Sequence, residues 1–397
     1  YLDRVNVGFA ALTMNDELGL SPTVYGWGAG VFFFGYCLLE APSNHILERV
    51  GARRWIARIM VSWGIVSAMM GLVWNETSFL VLRFLLGAAE AGFSPGVILF
   101  LTYWVPARYR ARSVGLFLLA LPLATAVGAP LSGLLLSTMD GVGGASAWRW
   151  LFFIEAAPAI LLGVAAYFYL TDKPQEARWL APQERALLTR VLDQEKSSRK
   201  AAGAHPLWRM LGDPWVIRLG VIYFGVVAAL YGLGFWLPQI VSAFGYGPLG
   251  AGLLTAIPYA CGGVAMALWS RRSDKNGERV YHSAAAALLA AGGLAASAFF
   301  NAPIPSILAL TAASVGTLAA MPPFWTLPTA FLCAEVAAVG IALVNSIGNL
   351  AGFFGPYLVG WIKETSNDFS YALLALSAAP LFSAVLLVWL IPEQKRR

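Results

Sequence analysis

The 397-residue sequence is 58% hydrophobic and only 12% charged, about half the roughly 25% charged fraction of a soluble domain. Its three cysteines (Cys37, Cys261, Cys333) and three histidines (His45, His205, His282) show no ligand or disulfide spacing, which argues against a metal-dependent or Ser-His-Asp enzyme. The net charge of +6 lies in short loops, a distribution unlike that of a nucleic-acid-binding face.

Only about 15 mostly apolar residues separate Tyr1-Leu2-Asp3-Arg4 from the turn-like Gly19-Leu20-Ser21-Pro22. A full span needs about 20 residues, so the sequence is expected to begin inside its first helix. Stretches of spanning length follow at 25–47, 55–74, 78–103, 113–138, 148–170, 214–243, 249–270, 280–300, 305–331, 339–362 and 371–392. The breaks carry Asn, Asp, Gly and Pro clusters such as Asn75-Glu76-Thr77 and Asn301-Ala302-Pro303. With the partial segment there are twelve predicted spans, an all-α polytopic membrane protein of two six-helix bundles. Residues 1–170 form the first bundle and 214–397 the second. The polar stretch 171–213 reads as a cytoplasmic linker with a surface helix near residues 182–188.

Most of the 27 lysines and arginines fall on one side: Arg49 to Arg58, Arg108 to Arg112, Lys173 to Arg209, Arg271 to Arg279 and Lys395 to Arg397. The opposite loops hold little more than Arg149 and Lys363. The positive-inside rule makes the basic side cytoplasmic, with both termini there and the chain in a bacterial-type inner membrane. The halves also repeat. Gly51 and Gly277, in acidic-basic-glycine loops after spans 2 and 8, are 226 positions apart, as are Pro130 and Pro356 in spans 5 and 11. Parallel duplication is expected of carriers that rock two bundles about a central site.

The loops Glu48-Arg49-Val50-Gly51-Ala52-Arg53-Arg54 and Asp274-Lys275-Asn276-Gly277-Glu278-Arg279, in a duplicated twelve-span chain, resemble the major facilitator superfamily. Glu48 stands where Asp is commoner in that family. Glu48, Arg49, Arg53, Asp274 and Arg279 are the expected cytoplasmic gate, bonding to helix ends. Four further stretches resemble the anion:cation symporters within that superfamily: Asp3-Arg4-Val5-Asn6, Arg83 through Glu90, Pro323-Phe324-Trp325-Thr326-Leu327-Pro328 and Asn345-Ser346-Ile347-Gly348-Asn349. The resemblance implies uptake of tartrate-like, phthalate-like or sugar-acid anions.

Ionisable residues at bilayer depth cost about 2.5–3.5 kcal/mol each on insertion scales. Asp3, Arg4, Arg83 and Glu90 sit there, all in the first half. Asp3 and Glu90 are the expected proton-coupling carboxylates. Arg4 and Arg83 would supply the positive field, one pairing with Glu90 and one facing a substrate carboxylate. Glu40 is expected in the loop network and Glu155 in a structural bond, and Glu335 falls at the cytoplasmic end of span 10. Tyr36, Tyr223, Tyr231, Trp325, Asn345 and Asn349 are the expected neutral and aromatic lining. So sparse a set of neutral donors suits an aromatic carboxylate or short dicarboxylate better than a polyhydroxylated sugar acid. The expectation is therefore a monomeric proton–anion symporter with no cofactor besides its coupling ion. Two carboxylates could equally serve sodium, and Gly128-Ala129-Pro130 with Gly133 partly resembles an exporter motif.

Overall fold

The computed structural model describes residues 1–200, 212–331 and 337–390. Leu2–Val5 (α1) and Val7–Leu18 (α2) run on through Asn6, whose φ of −59° and ψ of −25° stay helical. There follow Pro22–Val50 (α3), Ala52–Met69 (α4), Glu76–Glu90 (α5), Phe93–Trp104 (α6), Ala107–Leu118 (α7), Ala120–Thr138 (α8) and Ala147–Tyr169 (α9). Pro182–Lys200 (α10) is the surface helix of the polar stretch. Pro214–Ser242 (α11), Pro248–Asn276 (α12), Val280–Ser297 (α13), Pro303–Phe331 (α14), Ala337–Ser366 (α15) and Phe369–Leu390 (α16) complete the chain. No strand occurs among the described residues. Eleven helical segments are long and apolar enough to cross a membrane, matching the eleven full-length predicted spans.

The starts and stops have local causes. The Ser21 side chain accepts from the Val24 N–H ahead of Pro22, Asn75 and Ser78 form a capping box, and the Asp213 side chain accepts from Trp215 and Val216 ahead of Pro214. Gly51 (φ 96°, ψ 147°) and Gly277 (φ 67°, ψ 5°) end α3 and α12, so the repeated glycines both take positive φ but turn the chain differently.

Two predicted spans are divided: between α7 and α8 Leu119 keeps helical angles (φ −62°, ψ −19°), whereas the other break leaves them. Residues 78–103 divide into α5 and α6, because Ala91 is extended (ψ 131°) and Gly92 is left-handed (φ 85°). Glu90 is therefore the last residue of a half-helix. Such a break survives at membrane depth only where protein or a cavity covers it; here Gly92 lies against Ser43 of α3.

The two halves meet along three helix pairs: α2 on α11, α3 on α15, and α8 on α12. Their close approaches cluster toward the end opposite the basic loops. A Cβ at Gly26 would stand 2.6 Å from the Pro356 carbonyl oxygen, and one at Gly133 would stand 2.5 Å from that of Pro248. The Tyr25 hydroxyl donates to the Phe235 carbonyl at 2.8 Å, and Glu364 accepts from the Ser21 hydroxyl at 2.7 Å and the Thr23 N–H at 2.9 Å. The proline-glycine segments around Pro130 and Pro356 are thus seam elements, placed there by their lack of bulk.

Gly26→Val would add bulk where two backbones touch, at a cost of about 1–3 kcal/mol in the closed arrangement alone, shifting a two-state balance by about 5- to 150-fold. With spin labels on Val142→Cys and Asp368→Cys, one in each half, the measured distance should lengthen. An unchanged distance would show that this seam does not hold the halves together.

Candidate substrate and coupling site

Arg4 is the centre of the site. Its guanidinium forms a buried ion pair with Glu90, at the end of α5, and donates to the Tyr231 hydroxyl of α11 at 2.9 Å. Phe32 and Tyr36 of α3 bring their rings to 5.0 and 5.3 Å from its central carbon. The two residues are four positions apart and so share one helical face, and their rings offer cation–π attraction. One arginine is thereby held from the first half by Glu90 and from the second by Tyr231. Tyr36 is buried, and its hydroxyl has no hydrogen-bond partner among the described residues.

The other charged residues diverge from Arg4. Asp3, one position earlier, points to α4 and accepts from Trp63 Nε1 at 3.1 Å and Ser67 Oγ at 3.0 Å. Arg83 does not pair with Glu90, although two turns of one helix separate them. It is fully buried and donates from Nε to the Gly28 carbonyl at 3.0 Å and from one terminal nitrogen to the Ala29 carbonyl at 3.1 Å. Its other terminal nitrogen lacks a partner. Arg83 therefore clamps α5 to α3, and Arg4 takes the carboxylate.

A second cluster lies farther along α11. Tyr223 precedes Tyr231 by eight residues, about 12 Å along the helix. Its ring stacks on Phe324 at 5.0 Å and meets Trp325 edge-on at 4.7 Å. Gly348 of α15 sits against that ring, and Asn345 and Asn349, one turn apart, project together from the neighbouring face of α15. Both asparagines are half-buried, with no hydrogen-bond partner among the described residues. The structure thus brings Arg4, Glu90, Tyr36 and Tyr231 together, and separately Tyr223, Trp325, Asn345 and Asn349.

The loop residues behave differently from expectation. Asp274 and Arg279 bond one another at 2.6 Å and Arg279 also donates to Ser273 Oγ at 3.0 Å, so that loop closes on itself. The Arg53 guanidinium stands over Tyr167 at 5.5 Å, and its backbone N–H donates to Asp172 at 2.7 Å. The acid at the start of α4 is therefore Asp172, from the polar stretch, a residue that no motif singles out. Arg49 is exposed, and the Glu48 side chain and Glu335 lie outside the described residues. Glu40 is half-buried one turn beyond Tyr36, and the expected loop bond is not found among the described residues. Glu155 accepts from Ser132 Oγ at 2.6 Å, a bond between α8 and α9. Phe32, Trp63 and Ser67 were also missed, although the four-residue spacing of Phe32 and Tyr36 is a readable signal.

Removing one partner of a buried ion pair typically costs about 3–5 kcal/mol, because the other charge stays behind uncompensated. Arg4→Ala should therefore lower the unfolding temperature sharply in detergent, and adding Glu90→Gln should restore most of it. A double variant as unstable as Arg4→Ala alone would show that Arg4 acts through its aromatic packing.

The comparisons with known proteins agree with this architecture. The family model described as Major Facilitator Superfamily matches residues 1–356. A protein of Agrobacterium vitis, named provisionally as a tartrate transporter, is 51% identical over 386 residues, covering 97% of this chain and 86% of its own length. The quinolone resistance transporter of Acinetobacter baumannii is 39% identical, covering 97% and 89%. The partially occluded, inward-open structure of the xylose transporter XylE from E. coli superposes with a TM-score of 0.77 at 16% identity, covering 100% of this chain and 96% of that one. With a family match along most of its length and relatives of this identity and coverage, the chain belongs to the Major Facilitator Superfamily and is a transporter of that fold.

Proposed function

We propose that the transporter is a proton-coupled symporter that imports a small organic anion by alternating access. The observation that carries this reading is the double hold on Arg4, by Glu90 from one half and Tyr231 from the other. Arginine cannot discharge by losing its proton, whereas a carboxylate can be neutralised. When Glu90 takes up a proton, Arg4 loses its counter-charge and an incoming carboxylate replaces it. When the substrate leaves, Glu90 must release its proton to compensate Arg4 again. Proton and anion then travel together. Asp3 is the proposed second proton carrier, held through Trp63 and Ser67.

On this reading the basic loops face the cytoplasm of a bacterial-type inner membrane, and the closed seam faces outward. Residues 1–170 and 214–397 are the two rocking units, joined by 171–213, and a monomer suffices. The tartrate name of the relative in Agrobacterium vitis supports a short hydroxy-dicarboxylate. One carboxylate would go to Arg4, and the remaining polar groups to Asn345 and Asn349 as the halves close. Tyr223 and Trp325 would supply the apolar wall. The quinolone resistance name of the relative in Acinetobacter baumannii favours a second reading, export of an aromatic acid.

The deciding experiment is transport into proteoliposomes under imposed gradients, with tartrate, succinate, phthalate, a sugar acid and a quinolone as labelled solutes. Accumulation of tartrate driven by an inward proton gradient and abolished by a protonophore is expected. Accumulation driven only by sodium, or only extrusion of the quinolone, would replace the reading.

Glu90→Gln mimics the protonated carboxyl. It should lose proton-driven accumulation by at least about tenfold while retaining exchange of internal for external anion, because Arg4 stays available. Asp3→Asn should flatten the pH dependence of uptake. Wild-type accumulation and pH profile in both variants would remove the two carboxyls from coupling.

A further inference from the structure

α12 and α13 are consecutive, yet both pack on α14 and scarcely on each other, while another face of α12 meets α8. Between them runs a groove of about 600 Å³, with Val315 and Ala319 of α14 at its floor and the small side chains of Ala265, Ala285 and Ala286 along its walls. Its edges face outward: Leu268 is 59% and Leu289 45% exposed. At the loop end the groove is bridged by Trp269, whose indole N–H donates to the His282 carbonyl at 2.9 Å.

The same end carries Arg271, Arg272 and Lys275, all lining the groove and all exposed. The nearby acids are already engaged. Asp274 pairs with Arg279 at 2.6 Å, and Glu278 accepts from the Tyr281 and His282 N–H groups and contacts the His282 ring. The three cations have no ion-pair partner among the described residues. A mouth of three uncompensated positive charges over an apolar trough, at the level where a basic loop leaves the bilayer, matches a molecule with an anionic head and an acyl tail.

We propose that this groove is a binding site for an anionic phospholipid, with its phosphate on Arg271, Arg272 and Lys275 and an acyl chain between α12 and α13. The groove lies on the outer surface of the second half, away from Arg4 and Glu90, so this site stands independently of the proposed transport reaction.

The test is native mass spectrometry of the full chain from detergent, titrated with phosphatidylglycerol, with phosphatidylcholine of the same chains, and with glycerol phosphate. Phosphatidylglycerol should be retained in preference to phosphatidylcholine, and glycerol phosphate should not displace it. The combined variant Arg271→Gln, Arg272→Gln and Lys275→Gln should bind it more weakly by about fivefold per charge, about a hundredfold in all. Ala285→Trp, which fills the trough at an exposed position and keeps every charge, should also weaken retention. Equal retention of both lipids, undiminished binding by either variant, or displacement by glycerol phosphate would each overturn the proposal. Unfolding temperatures of the variants in phosphatidylcholine serve as the folding control.

Discussion

A guanidinium at bilayer depth must have company, because Arg4 stays charged wherever it is put. The fold supplies one carboxylate, Glu90, one hydroxyl, Tyr231, and two aromatic faces, Phe32 and Tyr36. They come from three different helices, so the position of Arg4 ties together α1, α3, α5 and α11. Hydrogen bonds to charged groups are worth about 1.5–3 kcal/mol, and here one of them crosses between the halves. On the proposed reading, whatever takes Arg4 away from Glu90 or Tyr231 offers negative charge in return, a constraint that suits an anion.

The backbone break beside Glu90 adds to that constraint. A carboxylate on the last residue of a helix faces the negative end of the helix dipole, an unfavourable place for a second negative charge. The Arg4 guanidinium offsets that penalty directly. Arg83 does not, since it is anchored through two of its nitrogens to the Gly28 and Ala29 carbonyls of α3 and makes no pair with Glu90 among the described residues. The two arginines thus have different physical tasks: one fastens two helices through backbone oxygens, and the other holds an exchangeable counter-charge.

Hydropathy, the loop charges and the 226-residue repeat made the spans and their duplication legible in the sequence, because membrane solvation imposes length and apolarity on every helix. That Asp3, Arg4, Arg83 and Glu90 are charged residues within the protein interior was legible for the same reason: ionisable groups are rare where solvation is costly. The pairing was not. Periodicity places Arg83 and Glu90 on one face of α5, but which guanidinium reaches Glu90 depends on how α1 and α3 approach, and Gly92 alone hinted that the helix stops there. The link of Glu364 to Ser21 and Thr23 was equally hidden, because both partners are ordinary exposed polar residues 343 and 341 positions away in the chain.

The duplicated halves carry unequal chemistry, and the seam gives that inequality a use. Glycine and proline segments related by the repeat let α3 meet α15 and α8 meet α12 at one end, so both halves contribute alike to closure. Among the described residues the buried charges sit in the first half, and the second answers with Tyr231 and the neutral cluster around Tyr223. A symmetric closing device joined to an asymmetric charge means that the cross-half bond of Arg4 is the one polar term in the site that depends both on occupancy and on the relative position of the halves. On the proposed reading, an anion that captures Arg4 weakens its hold on Tyr231 at the same moment that it neutralises the charge keeping Glu90 in place. Binding would then loosen the halves and free the carboxyl together, which is the linkage a symporter needs, and it requires no signal to pass beyond the four helices that touch one guanidinium.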